Sequence, residues 1–195
     1  MRVCIYGASS CIIDDSFIKE TEILSKKLAQ NGYSLVFGCG ANGLMGAAAR
    51  GFYSEGAEIY GVVPKFFNVD GILFDNCTEI IRTDTMRERK QIMEDMSDAF
   101  ITTPGGIGTF EEFFEMLTLK QLGRHSKPMV VYNINGYYDK LLDMLNTSVD
   151  EKFMNRETLE LFAVIDNADD VIKYLKEYVP VEYTTEEMKH IYTKK

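Results

Sequence analysis

Short apolar runs alternate along the chain with longer stretches whose apolar residues recur every three to four positions. Val3–Tyr6, Leu35–Phe37, Ile59–Val63, Ala99–Thr102, Pro128–Tyr132 and the brief Val164–Ile165 read as strands, and Glu79–Arg82 as a short strand or extended segment. Between them, Phe17, Ile18, Leu24 and Leu28 mark one helix face, capped by Asp15 or Ser16 and ended by Asn31-Gly32. Further helices are predicted over Ala47–Ser54, Met86–Met96, the stretch carrying Phe110, Phe113, Phe114 and Leu117, the stretch carrying Leu141, Leu142, Met144 and Leu145, and 156–162 and 168–178. Strands alternating with helices predict one α/β domain over residues 1–180, followed by a polar tail over 181–195.

Three loops at predicted strand ends carry the small residues. The first strand runs into Gly7-Ala8-Ser9-Ser10 and the second into Gly38-Cys39-Gly40-Ala41-Asn42-Gly43-Leu44-Met45-Gly46. Ala99–Thr102 leads to Pro104-Gly105-Gly106-Ile107-Gly108-Thr109-Phe110-Glu111-Glu112. In open α/β sheets ligands bind at such ends. A glycine turn opening a helix offers unpaired N–H groups, the positive end of the helix dipole and close backbone approach, all of which favour an anion. The second loop contains GxGxxG, yet it follows the second strand. The next strand ends in Pro64, with no acid for a ribose hydroxyl, so we read it as a second wall of the same pocket rather than a dinucleotide site.

Two positions break the helical pattern. In Met86–Met96, the methionines at 86, 93 and 96 share a face whose intervening positions are Arg89 and Lys90. Either the long stems snorkel along the core, or the cations face a pocket. Thr85 with Glu88 fits a capping box, and so does Thr109 with Glu112, which gives that glutamate a purely structural reading beside a functional one. From Lys65 to Cys77 periodicity is lost. Phe66, Phe67, Val69, Ile72, Leu73 and Phe74 form an apolar loop suited to cover a planar base, or simply to pack on the core or a partner chain.

Composition narrows the ligand. The 195 residues carry a formal charge of −9, which argues against long nucleic acid. An anionic small ligand then needs a local basic cluster, and Arg82, Arg87, Arg89 and Lys90 provide one. Four scattered cysteines and two histidines form neither a zinc site nor a disulfide scaffold. With no membrane-length apolar run and a strand almost at the first residue, the expectation is a soluble cytoplasmic protein without signal peptide.

Taken together, Gly43-Leu44-Met45-Gly46, the Arg89-Lys90 pair and Pro104–Glu112 resemble the LOG family, cytokinin-activating phosphoribohydrolases often mislabelled lysine decarboxylases. The resemblance covers roughly residues 1–180. It implies a Rossmann-like, doubly wound parallel sheet in a single domain, a homodimer, and hydrolysis of the N-glycosidic bond of AMP or N6-modified AMP to free base and ribose 5-phosphate. Arg89 and Glu112 are the implied catalytic pair. Gly105, Gly106, Gly108 and Thr109 take the phosphate, with Lys90 assisting and Glu111 in ligand contact. Ser9, Gly43, Met45, Ile107 and Phe110 complete the expected substrate-binding set. No metal, cofactor, nucleic acid or membrane is expected to take part.

A carboxylate beneath the ribose stabilises an oxocarbenium-like sugar. Arginine does not give up its proton, so its expected role is electrostatic. The family's loop glutamate falls here on Gly71, with Asp70 beside it as the candidate substitute, and its histidine before the RK pair is Arg87. A non-catalytic nucleotide- or cofactor-binding carrier or sensor of the same fold is the alternative. A pyridoxal-phosphate decarboxylase is disfavoured, since no lysine stands in a Schiff-base signature.

Overall fold

The computed structural model describes residues 1–67 and 71–181. Asp70 and, apart from Val181, the polar tail lie outside them.

Seven strands form one parallel sheet: β1 (Arg2–Tyr6), β2 (Ser34–Phe37), β3 (Ile59–Pro64), β4 (Glu79–Thr83), β5 (Ala99–Thr102), β6 (Met129–Tyr132) and β7 (Ala163–Ile165), in the order β4-β3-β2-β1-β5-β6-β7. Alternation along β1 shows why helices cover both faces. Val3 and Ile5 point into one apolar core, where α1 (Asp15–Gln30), α2 (Gly43–Ser54) and α6 (Ala168–Glu177) supply Leu24, Leu28, Phe52 and Val171. Cys4 and Tyr6 point into the other, against Met93 of α3 (Met86–Met96), Phe113 and Leu117 of α4 (Ile107–Gln121) and Leu145 of α5 (Asp139–Asp150). This is the Rossmann-like, doubly wound sheet.

Strand order reverses between β1 and β5, which pair with Tyr6 opposite Thr102. Thr103 continues the join by donating from both its N–H and its hydroxyl to the Tyr6 carbonyl, each at 2.9 Å. The chains leaving β1 and β5 then diverge to opposite faces, and that divergence opens a crevice.

Element ends depart from expectation in three places. Asp14, not Asp15 or Ser16, caps α1, its carboxylate accepting from the Ser16 N–H at 2.9 Å. The 156–162 segment is a 3-10 turn over Arg156–Leu161, and Met144 faces solvent rather than the core. In the Thr85 box the hydroxyl accepts from the Glu88 N–H (3.1 Å), but Glu88 reaches back to the Asp84 N–H (2.7 Å), one residue further than the standard motif. Among the described residues no helix is long and apolar enough to cross a membrane.

Candidate active site

The crevice at the β1/β5 reversal is a cavity of about 520 Å³, within the range of small-molecule sites. Ala8 joins its walls through backbone alone. Its N–H donates to the Pro104 carbonyl (3.0 Å), and its own carbonyl accepts from the Leu44 and Met45 N–H groups (2.8 and 3.3 Å). The Leu44 and Met45 N–H groups at the start of α2 are thereby occupied. Those of Ile107, Gly108 and Thr109, at the start of α4, have no partner among the described residues, and the Gly106 cap brings no side chain to cover them. Of the two glycine loops, the one after β5 ends in the helix N-terminus more open to an anion, with three N–H groups unpartnered among the described residues.

Across the cavity, α3 directs Arg89 inward. Its side chain is buried: Nε donates to the Val62 carbonyl (3.0 Å), and Nη1 meets the Glu112 carboxylate at 3.3 Å. The head group is therefore not in water, and the snorkelling reading fails for it. The path exists because residue 38 is glycine: a Cβ there would overlap Nη2 of Arg89. Glu112 is pulled two ways. Burial pushes its carboxyl up, Arg89 opposes this, Glu111 adds to the rise and Lys90 lowers it, leaving a pKa of about 7. Near neutrality Glu112 can act as a carboxylate or take up a proton.

The remaining wall is apolar, made by Val63, Pro64, Phe67, Ile72, Leu73 and Met86. Residues 72–74 are held to the β2 loop by Ala41 N–H to Ile72 O (2.8 Å) and Phe74 N–H to Cys39 O (2.9 Å). Part of the irregular 65–77 stretch thus lines the cavity, whereas Phe74 is buried against Phe37 and Tyr53. The loop covers the pocket and also packs on the core.

Seven of the expected site residues line this cavity: Ser9, Met45, Arg89, Gly106, Gly108, Thr109 and Glu112. Six others lie outside the lining. Gly43, at φ +57°, turns the chain into α2 behind Asn42, which does line the cavity. Gly105 is buried one residue below the rim. Helical rotation carries Ile107 to solvent, at 83% exposure, and Phe110 against Tyr138. Lys90, one step round from Arg89, turns away to bind Glu111 and Glu115 of α4. That pairing also occupies Glu111.

Arg82 and Arg87 are exposed and line nothing here, so the basic cluster reduces to Arg89. The capping box at Thr109–Glu112 does not form: glycines let α4 begin at Ile107, which places Thr109 inside the first turn and frees Glu112 for Arg89. Ala8 and Asn42 belong to the two loops expected to wall the pocket, and Leu73 to the apolar stretch expected to cover it; Val63 and Pro64 were read only as the end of a strand, and strand order alone brings them to the cavity.

A family model described as possible lysine decarboxylase matches residues 45–175. Cytokinin riboside 5'-monophosphate phosphoribohydrolase LOG2 of Arabidopsis thaliana is 35% identical over 179 residues, covering 92% of this chain and 84% of that protein. The chain belongs to the LOG family. A second LOG-family relative, the probable phosphoribohydrolase LOGL3 of Oryza sativa subsp. japonica, is likewise 35% identical over 179 residues, covering 92% and 85%. The molybdenum cofactor carrier protein of Chlamydomonas reinhardtii shares the fold with this LOG-family chain, at TM-score 0.68 and 20% identity over 90% of this chain and 96% of that one. Among the described residues no lysine lines the LOG-family cavity, so the decarboxylase description finds no Schiff-base group there.

Proposed function

We propose that this LOG-family chain hydrolyses the N-glycosidic bond of AMP or an N6-modified adenosine 5′-monophosphate, releasing the base and ribose 5-phosphate. The observation that carries the reading is the buried Arg89–Glu112 pair, which faces the cavity beside the open N-terminus of α4. The phosphate sits on the N–H groups of residues 107–109 and the Thr109 hydroxyl. The base lies on the apolar wall, and the ribose between them passes over Glu112. As the C1′–N bond breaks, its electrons leave with the base. The Glu112 carboxylate stabilises the positive charge left on the sugar and orients the water that adds to C1′; the proton this water gives up passes to Glu112 and from there, through solvent, to the released base. Arg89 holds that carboxylate in place and offsets negative charge on the departing base. Lys90 serves instead to hold α3 on α4.

The reading extends to assembly and place. Exposed Ile107 and Met86, near the cavity mouth, suit burial against a second copy, and four free thiols suit a reducing cytoplasm.

Incubation of the purified protein with AMP and with isopentenyl-AMP, read as free base, tests the activity, and light scattering tests the dimer. Tight AMP binding without base release favours the carrier alternative over hydrolysis.

A further inference from the structure

Three successive carbonyls of the turn after β5 are each held by a donor. Tyr138 Oη donates to Thr103 O (2.8 Å), the Ala8 N–H to Pro104 O (3.0 Å), and Tyr137 Oη to Gly105 O (2.7 Å). In a trans peptide the N–H points away from the carbonyl of the same unit. Holding the Gly105 carbonyl on Tyr137 therefore sends the Gly106 N–H the other way, and Gly106 lines the cavity. Neither glycine has a Cβ to resist rotation of the peptide between them. Turned over, that peptide would present a carbonyl oxygen to an anionic ligand. A donor on the carbonyl also polarises the unit and strengthens its N–H.

The neighbouring tyrosine supplies an internal control. Its carbonyl, Thr103 O, belongs to the peptide whose nitrogen is that of Pro104, so there is no N–H to direct. Tyr137 and Tyr138 thus make like bonds to like acceptors two residues apart, and only the first governs a donor. The Tyr137 ring is seated independently of its hydroxyl, edge-on to Phe17 (centroids 6.0 Å) and to Tyr138 (5.0 Å), so removing the oxygen leaves the ring's packing in place.

We infer that Tyr137 is a positioning residue whose hydroxyl locks the Gly105–Gly106 peptide with its N–H toward the phosphate end of the ligand. This rests on the proposed placement of the phosphate at the start of α4.

The test compares wild type, Tyr137→Phe and Tyr138→Phe in ribose 5-phosphate and ribose binding by calorimetry, AMP turnover and Tm. The expected result for Tyr137→Phe is a ribose 5-phosphate Kd and an AMP KM each raised about tenfold. Its kcat, its Tm and its response to unphosphorylated ribose should match wild type. Tyr138→Phe should lower Tm and leave ribose 5-phosphate affinity as it was. Unchanged ribose 5-phosphate affinity in Tyr137→Phe, or equal weakening by both substitutions, overturns the tether while leaving the function standing. Failure of wild type to bind either ribose 5-phosphate or AMP overturns the reading of the site, and the tether with it.

Discussion

Arg89 and Glu112 meet at 3.3 Å across the gap between α3 and α4, each side chain about one-tenth exposed. Neither is satisfied by its own helix. Arg89 takes its second partner from β3, at Val62 O, so the pair also connects two helices to the sheet. Breaking it leaves a buried charge without a partner, which costs more than the pair itself stabilises.

The pH dependence follows from Glu112. Its pKa lies above the ordinary glutamate value, so between pH 4.5 and about 7 the folded state binds more protons than the unfolded one. The contribution of Glu112 to stability therefore falls as pH rises through that window, by up to about 3 kcal/mol, while His125, whose pKa burial lowers to about 4, contributes in the opposite sense between about 4 and 6.5. Activity that needs the carboxylate is half-maximal at about pH 7, where Glu112 titrates, and levels off about one unit higher. Glu112→Gln should remove the falling contribution to Tm between pH 4.5 and about 7, leaving that of His125, and lower kcat by about 10² or more. A Gln variant with wild-type turnover and the same pH profile would refute the role.

Arg89→Lys keeps the charge but gives up the planar fork that reaches Val62 O and Glu112 together. The expected outcome is kcat/KM lowered about a hundredfold with the fold intact, read from steady-state kinetics and circular dichroism. Full activity in the lysine variant would mean that charge alone suffices.

Gly38→Ala tests the pair through packing alone. The added methyl would strike the far end of Arg89 and press on Met45, and pushing the guanidinium off Glu112 leaves a buried charge without its partner, so Tm should fall by an amount corresponding to about 3 kcal/mol. Swinging aside moves the guanidinium off Glu112, and kcat/KM should fall by at least about tenfold. Loss of Tm without loss of activity would contradict this.

Lys90→Met probes the other cation. Burial disfavours its charge, but Glu111 and Glu115 more than compensate, raising its pKa. Because both glutamates are substantially exposed, the loss should be about 1 kcal/mol or less and should shrink in high salt. The KM for AMP should not change. A raised KM would restore Lys90 to the ligand.

Much of this was legible in the chain. The β/α alternation predicted the parallel sheet, and an arginine interrupting the methionine face of α3 pointed to Arg89, because a cation on a buried stripe requires a partner. The partner itself was half-hidden, since Thr109 and Glu112 satisfy a capping pattern that the glycines made unnecessary. Lys90 was read with Arg89 because they are neighbours in sequence, but on a helix adjacent residues point about 100° apart. Val63 and Pro64 had no local mark as part of the pocket, since strand order alone brings the end of β3 to it.

Ala8 carries only a methyl group, yet its main chain unites the loops after β1, β2 and β5. Bonds of this kind survive most substitutions, so the frame around the anion end can be inherited while the side chains facing it are exchanged. The Arg89–Glu112 pair is made by side chains lent by two separate helices, with one main-chain anchor at Val62 O. In such an architecture a change of the two side chains can remove or alter chemistry and leave the main-chain frame at the start of α4 as it was.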